Sequence, residues 1–256
     1  MRSFDSLADL TGRVALVVGG AGHIGRVACD VLHELGAAVA VADLQPSTDQ
    51  RAELHLKVDL HSTEETRGLV GSTVDALGRL DVLVHCAAYT GQTSVSGWAA
   101  PFEQQTVEAW DLAHRVNVTS AFVLAQEARA HLGGGGSGSI VLVSSMYGVV
   151  APDFRLYEGT GMNSPAGYSA SKGALLQLTR HLSTLLAPDV RVNAISPGGV
   201  FRQQDPAFVR RYEASTPLGR MATEEDLKGA IGYLASDLSG YVTGANLLVD
   251  GGRTVW

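Results

Sequence analysis

Short, nearly unbroken apolar runs alternate along the chain with longer stretches whose apolar residues recur every three or four positions. The runs RVALVVGG (13–20), AAVAVADL (37–44), LDVLVHCAA (80–88), SIVLVSS (139–145) and VRVNAISPGG (190–199) are rich in β-branched residues. ELHLKVDL (53–60) and ANLLVDGG (245–252) are weaker versions of the same pattern. A strand that is apolar on both faces is covered on both faces, as in a parallel sheet. The stretches between the runs read as helices. IGRVACDVLHELG follows the first run, with Gly36 as its C-terminal cap. STEETRGLVGSTVDALG opens on the Ser-x-x-Glu capping signature. TVEAWDLAHRVNVTSAFVLAQEARAHL reads as one long helix, AGYSASKGALLQLTRHLSTLLA as a helix stopped by Pro188, and EEDLKGAIGYLASD as the last.

This alternation predicts an α/β fold: a Rossmann-like, doubly wound parallel sheet of about seven strands with helices on both faces. GGGGSGS (133–139) has the composition of an interdomain linker. The strand pattern resumes directly after it, so the expectation is a flexible loop inside a single domain spanning residues 1–256.

Composition narrows the function classes. With 45% apolar and 18% charged residues, the chain has the balance of a globular enzyme. A formal charge of −7, with scattered arginines, argues against a nucleic-acid partner, which needs clustered cations. Cys29 and Cys86 match neither a disulfide framework nor a metal-ligand spacing, and read as small buried hydrophobes. No run reaches the roughly 20 apolar residues of a membrane span, and the first residues lack the apolar core of a signal peptide. The expectation is a cytoplasmic protein with no membrane partner and no metal.

Two features carry chemistry. The first is VVGGAGHIG, a glycine-rich turn between a buried strand and a helix. Backbone N–H groups of such a turn approach a pyrophosphate, and the helix N-terminus adds partial positive charge. Asp43, with Leu44 beside it, ends the second strand about 20 residues on. A carboxylate there accepts ribose hydroxyls and repels a 2′-phosphate, which favours NAD over NADP. The second feature is GYSASKGA, which sets Tyr168 and Lys172 one helical turn apart. Lys172 is one of only three lysines in the chain. An ammonium beside a phenol stabilises phenolate and makes the tyrosine a usable acid and base.

With these residues in place the chain resembles the short-chain dehydrogenase/reductase family over essentially its whole length. Single-domain members usually show T-G-x-x-x-G-x-G. Here Val18 replaces the threonine, and Gly19, Gly22 and Gly25 follow the G-x-x-G-x-x-G spacing of the longer epimerase-type members. His23 and Ile24 lie between the last two glycines, and His23 either leans over the phosphates or points to solvent. The resemblance implies Asp59 and Leu60 at the adenine. It implies Ala87 and Ala88 at the nicotinamide ribose, where HCAA stands for the family's N-N-A-G. It implies Pro197, Gly198 and Val200 against the nicotinamide. It makes Ser145, Tyr168, Lys172 and Asn117 the catalytic set, with Lys172 also binding the ribose hydroxyls and Asn117 completing a proton relay. It further implies a homodimer or homotetramer.

The segment between Ser145 and Tyr168 is longer than the family's usual dozen or so residues, and with the segment 198–217 it is expected to form the substrate loops, at about 146–166 and 198–217. Arg155, Arg202 and Gln203 are the polar side chains expected to meet substrate, beside Ser145 and Tyr168. The loops look most like those of bacterial reductases of flagellin modification and amino-sugar pathways. The expected activity is NAD(H)-dependent interconversion of a secondary alcohol and a ketone on a polar, hydroxylated small molecule: a sugar, amino sugar, cyclitol or nucleoside-like ring. Two other readings stand beside it: an NAD-retaining epimerase or dehydratase, suggested by the glycine spacing, and a non-catalytic cofactor-binding module.

Overall fold

In the computed structural model, which describes residues 1–46, 51–90, 93–132 and 138–256, every apolar run becomes a strand. In chain order the elements are α1 (Phe4–Ala8), β1 (Val14–Val18), α2 (His23–Glu34), β2 (Ala38–Asp43), β3 (Leu54–Lys57), α3 (Thr63–Leu77), β4 (Val82–His85), α4 (Val107–His114), α5 (Ser120–Ala128), β5 (Gly138–Val143), α6 (Ala166–Leu186), β6 (Val190–Pro197), α7 (Pro206–Ala214), α8 (Lys228–Ala235) and β7 (Asn246–Val249). All strand pairs are parallel, in the order β3-β2-β1-β4-β5-β6-β7. The sheet is therefore laid down outward from β1 in one direction, then from β4 in the other. The crevice outside the carboxyl ends of β1 and β4 is where an open α/β sheet binds its ligand.

Strand alternation explains why β1 is apolar throughout. Leu16 and Val18 face a layer built from α3, α5 and α6, where Leu69, Leu124, Leu175 and Leu182 pack on Leu83, Ile140 and Val192. Ala15 and Val17 face the opposite layer, where Val27 and Leu32 of α2 and Ile231 and Leu234 of α8 pack on Val41 and Val141. Each fully buried leucine or valine contributes about 1.5–3 kcal/mol of transfer free energy, so both faces hold the sheet. At the far edge from the crevice, Asp81 accepts the Val14 N–H at 2.9 Å and two Arg79 N–H bonds, which fixes where β1 starts. Among the described residues no helix is long and apolar enough to cross a membrane.

The structure departs from the pattern in four places. The long helix is interrupted by a π-helical turn, Arg115–Thr119, which inserts a residue between α4 and α5. Half of the capping signature at α3 is used as expected, since Ser62 accepts the Glu65 N–H. The Glu65 carboxylate, however, accepts the Asp59 N–H at 2.8 Å instead of reaching back to Ser62. The last helix starts as a 3-10 turn, Glu224–Leu227, capped reciprocally by Thr223 and Asp226. Finally, α7 occupies part of the segment expected to form the second substrate loop, started by Asp205 and Pro206. Of the Gly/Ser run, residues 133–137 lie outside the described residues, and β5 begins at Gly138.

Candidate active site

The turn after β1 is shaped by glycines that have no room for a side chain. A Cβ on Gly19 would sit 2.5 Å from the Ala87 nitrogen, and Gly19 itself has φ +80°. A Cβ on Gly25 would sit 2.1 Å from the Gly19 oxygen and 2.6 Å from the Gly20 Cα. The first turn of α2 thus packs backbone on backbone against the loop. Gly22 is the N-cap of α2 with no side-chain cap, so the N–H groups of the first turn stay available to an anion. Asp43 locks the loop from the next strand: its carboxylate accepts the Ala21 N–H and the Gln45 N–H, each at 3.0 Å. Asp43 and Leu44 line a hollow with His55 and Lys57. This cradle fits the diphosphate and ribose of a dinucleotide.

The other residues expected at the cofactor lie along the same carboxyl edge. His23 opens α2, but its side chain is 64% exposed and leans toward Glu224, with Nδ1 3.7 Å from Oε1. Ile24 lines the main cavity. Asp59 spends one oxygen on the His61 N–H and ring, and those bonds hold its carboxyl below the usual range. Leu60 is buried in the core, so only its backbone is free to meet a ligand. Ala87 lies against Gly19 and, like Ala88, is half-buried. Pro197, Gly198 and Val200 line the main cavity.

Ser145, Tyr168 and Lys172 converge where β5 meets α6. Ser145 leaves the end of β5 and caps a short 3-10 turn, Met146–Gly148, by accepting the Tyr147 N–H. Gly148 sets the spacing to α6: a Cβ there would lie 2.8 Å from the Lys172 carbonyl carbon and oxygen. Ser144 points the other way, donating to the Lys172 carbonyl at 2.8 Å. Lys172 is almost fully buried, with Nζ donating to the Val143 carbonyl at 2.7 Å and lying 5.8 Å from the Tyr168 ring centroid. Burial pushes its ammonium down to about 8.

The phenol of Tyr168 is held above its ordinary value, chiefly by burial. A hydrogen bond with Ser145 and the positive charge of Arg202 pull it partly back. The sequence suggested Lys172 as the group that lowers this phenol. In the structure the Lys172 ammonium lies over the Tyr168 ring while donating to a β5 carbonyl, and Ser145 and Arg202 pull the phenol down. Asn117 sits in the π-helical turn, fully buried. Its Oδ1 accepts the Tyr89 N–H at 2.7 Å and its Nδ2 donates to Ser171 at 2.9 Å. It therefore ties the end of β4 to α6 one residue from Lys172.

A cavity of about 530 Å³ opens over Ser145 and Tyr168, walled by both expected loops. From the first come Tyr147, Tyr157, Met162 and Asn163, and from the second Arg202, Gln203, Gln204, Phe208 and Tyr212. Arg155 does not join them: its side chain is 84% exposed and its guanidinium is doubly bonded to Asp153. The short Asp-x-Arg spacing lets the two close on each other at the surface. Sequence reasoning missed Phe208 and Tyr212, which sit one turn apart on α7 and roof the cavity. The signal was the Asp205–Pro206 helix start. It also missed the chain from Asp59 through His61 to the Tyr89 hydroxyl, 2.8 Å at each link.

Comparison with known proteins agrees with this geometry. The family model described as Enoyl-(Acyl carrier protein) reductase matches residues 19–254. A cis-4-hydroxycyclohexanecarboxylate dehydrogenase from Sinomonas cyclohexanicum is 33% identical, over 94% of this chain and 96% of the relative. A sorbose reductase from Schizosaccharomyces pombe is 30% identical, over 96% of this chain and 98% of the relative. The crystal structure of a short-chain dehydrogenase from Leptospira borgpetersenii with bound NAD+ superposes with a TM-score of 0.85. It is 31% identical and covers 100% of this chain and 97% of that one. A dinucleotide cradle at the sheet's switch point, an adjoining cavity, and relatives matched end to end make this chain a member of the short-chain dehydrogenase/reductase family of oxidoreductases, enzymes that act on CH–OH groups.

Proposed function

We propose that the protein interconverts a secondary alcohol and a ketone on a polar, hydroxylated small molecule, using NAD(H). The observation that carries this reading is that Ser145 and Tyr168 share one cavity beside the dinucleotide cradle, with the Lys172 ammonium buried 5.8 Å from the Tyr168 ring centroid. The relatives named for a ring alcohol and for sorbose support a cyclic or polyhydroxy substrate. When bound, the nicotinamide supplies or accepts the hydride.

The chain's own residues supply the rest. Tyr168 gives its proton to the carbonyl oxygen during reduction and takes it back during oxidation. Held above its ordinary value, the phenol keeps that proton at neutral pH and is poised as the acid. Ser145 donates to the same oxygen, where negative charge develops. Lys172 holds the nicotinamide ribose hydroxyls. With its ammonium pushed down to about 8, it also exchanges protons near neutral pH. Asn117 positions α6 against β4 for both. Gly19, Gly22 and Gly25 admit the diphosphate, and Asp43 receives the adenosine ribose, which favours NAD(H) over NADP(H). Exposed Trp110, Leu112 and Phe122 on α4 and α5, with Trp256 at the C-terminus, support a homodimer or homotetramer.

The test is a survey of polar ketones and polyols with both dinucleotides, reading nicotinamide absorbance in the wild type and in Tyr168→Phe. We expect turnover with NAD(H) that falls at least a thousandfold in the variant while dinucleotide binding persists. Equal turnover in the two proteins would remove Tyr168 from the reaction and this reading with it.

A further inference from the structure

We propose that Arg202 selects substrates that carry a carboxylate or sulfonate in addition to the alcohol or ketone. This deepens the function proposed above and rests on it for the identity of the cavity. Arg202 is the one lysine or arginine among the described residues lining that cavity. Its side chain is 23% exposed, and its Nη2 is buried with no hydrogen-bond partner. A guanidinium offers five donors, and a buried charged donor left unpaired is destabilising. Its one ion-pair contact is long: Nε lies 3.3 Å from a Glu224 oxygen that His23 also approaches.

The loop that presents Arg202 is strained and braced. Gln203 has φ +59°, the one left-handed non-glycine residue among those described. The Gln204 side chain clamps both flanks, accepting the Arg202 N–H at 2.7 Å and donating to the Val200 carbonyl at 2.8 Å. Backbone strain that the surroundings over-determine fixes a side chain for a purpose.

The rest of the cavity suits an organic anion. Met146, Tyr147, Tyr157, Phe208 and Tyr212 form an aromatic and thioether wall for a substrate body. The acid that also lines the cavity, Asp205, is committed to capping α7 through the Ala207 N–H at 2.7 Å. A planar guanidinium pairs with two oxygens of a carboxylate or sulfonate at once, which fixes orientation as well as charge. Arg202 and Tyr168 line the same cavity, so an anion held on the guanidinium would place its carbonyl or hydroxyl in the space that Tyr168 faces.

The same oxyanion chemistry is offered by the dinucleotide's diphosphate, because the Glu224–His23 contact leads to the head of α2. The experiment separates the two. Isothermal calorimetry on the full-length, NADH-loaded protein compares 4-hydroxycyclohexanecarboxylate with its neutral amide, in the wild type, Arg202→Gln and Arg202→Lys. NADH affinity is measured separately by fluorescence. We expect the wild type to bind the acid more tightly. The acid-to-amide ratio should fall roughly 100-fold in Arg202→Gln and recover in part in Arg202→Lys. The NADH dissociation constant should move less than about threefold. Equal affinity for acid and amide in the wild type overturns the proposal. A loss of NADH affinity in Arg202→Gln, with the ratio unchanged, also overturns it and assigns the guanidinium to the diphosphate. Because these readouts are binding constants, absence of turnover on every ketone would sink the proposed reaction without imitating either result.

Discussion

Burial of Lys172 makes a prediction about stability that does not depend on the substrate. The ammonium is pushed from 10.5 down to about 8 by burial, and its hydrogen bond to the Val143 carbonyl does not compensate. The unfolded chain therefore holds this proton up to about pH 10.5, whereas the folded chain releases it from about pH 8. Between these limits the unfolded state binds more protons, so this group makes stability rise with pH. Below about pH 8 both states are protonated and the cost of the buried charge is present in full. Each pH unit inside the window is worth ~1.4 kcal/mol, so the whole interval corresponds to ~3 kcal/mol and the step from pH 7 to 9.5 to ~2 kcal/mol. Lys172→Met removes the titration and keeps the volume. Urea unfolding of both proteins at pH 7, 8.5 and 9.5 reads the effect as a difference in which the buried tyrosines cancel, and Cys86→Ala in both backgrounds removes the thiol that interacts with the Lys172 charge. The wild type should gain ~2 kcal/mol on the variant across that range. A difference that stays flat within about 0.5 kcal/mol would show that the lysine is hydrated or ion-paired, and the assignment of a buried ammonium would be wrong.

Three further outcomes follow from the same structure. Gly25→Ala drives a Cβ into the Gly19 carbonyl. It should lower stability by about 1–3 kcal/mol and weaken NAD binding at least tenfold by fluorescence titration. Gly22→Ala, whose nearest atom would be 3.2 Å away, should be milder, and equal effects would refute the packing argument. Asp43→Asn keeps one of the two loop hydrogen bonds, because the amide has a single accepting oxygen, and removes the charge, while Lys57 remains in the same hollow. The ratio of kcat/KM for NAD over NADP should fall about tenfold or more, and an unchanged ratio would take Asp43 out of cofactor selection. Asp81→Ala unpairs the Val14 N–H and the Arg79 guanidinium at the opposite edge of the sheet. It should lower stability by about 2 kcal/mol in urea while leaving NAD affinity unchanged, and a parallel loss of affinity would mean the two edges are coupled.

Much of this was legible in the chain because strands buried on both faces cannot be disguised. Leu16 and Ala15 serve opposite layers, and so neither position tolerates a polar residue. Gly19 and Gly25 were legible because the backbone geometry excludes every other residue. Tyr168 and Lys172 were legible through spacing, since four residues make one helical turn. The π-helical turn at Arg115–Thr119 was not, because one inserted residue barely perturbs a helical period in a sequence that is apolar on several faces. The direction in which Lys172 points was not legible either. Its partner is a backbone carbonyl, and carbonyls carry no sequence signature. The surface pairing of Arg155 with Asp153 shows the converse limit: a polar side chain in the right segment says nothing about which way it turns.

Gly148 carries no reactive group, yet its missing side chain is what lets the segment bearing Ser145 close onto the helix bearing Tyr168 and Lys172. It works as a gauge block between two machine parts. A methyl group there would leave every reacting atom in the protein and move them out of register. Kinetics would report that as a failure of chemistry, and only a structure would reveal it as a failure of distance.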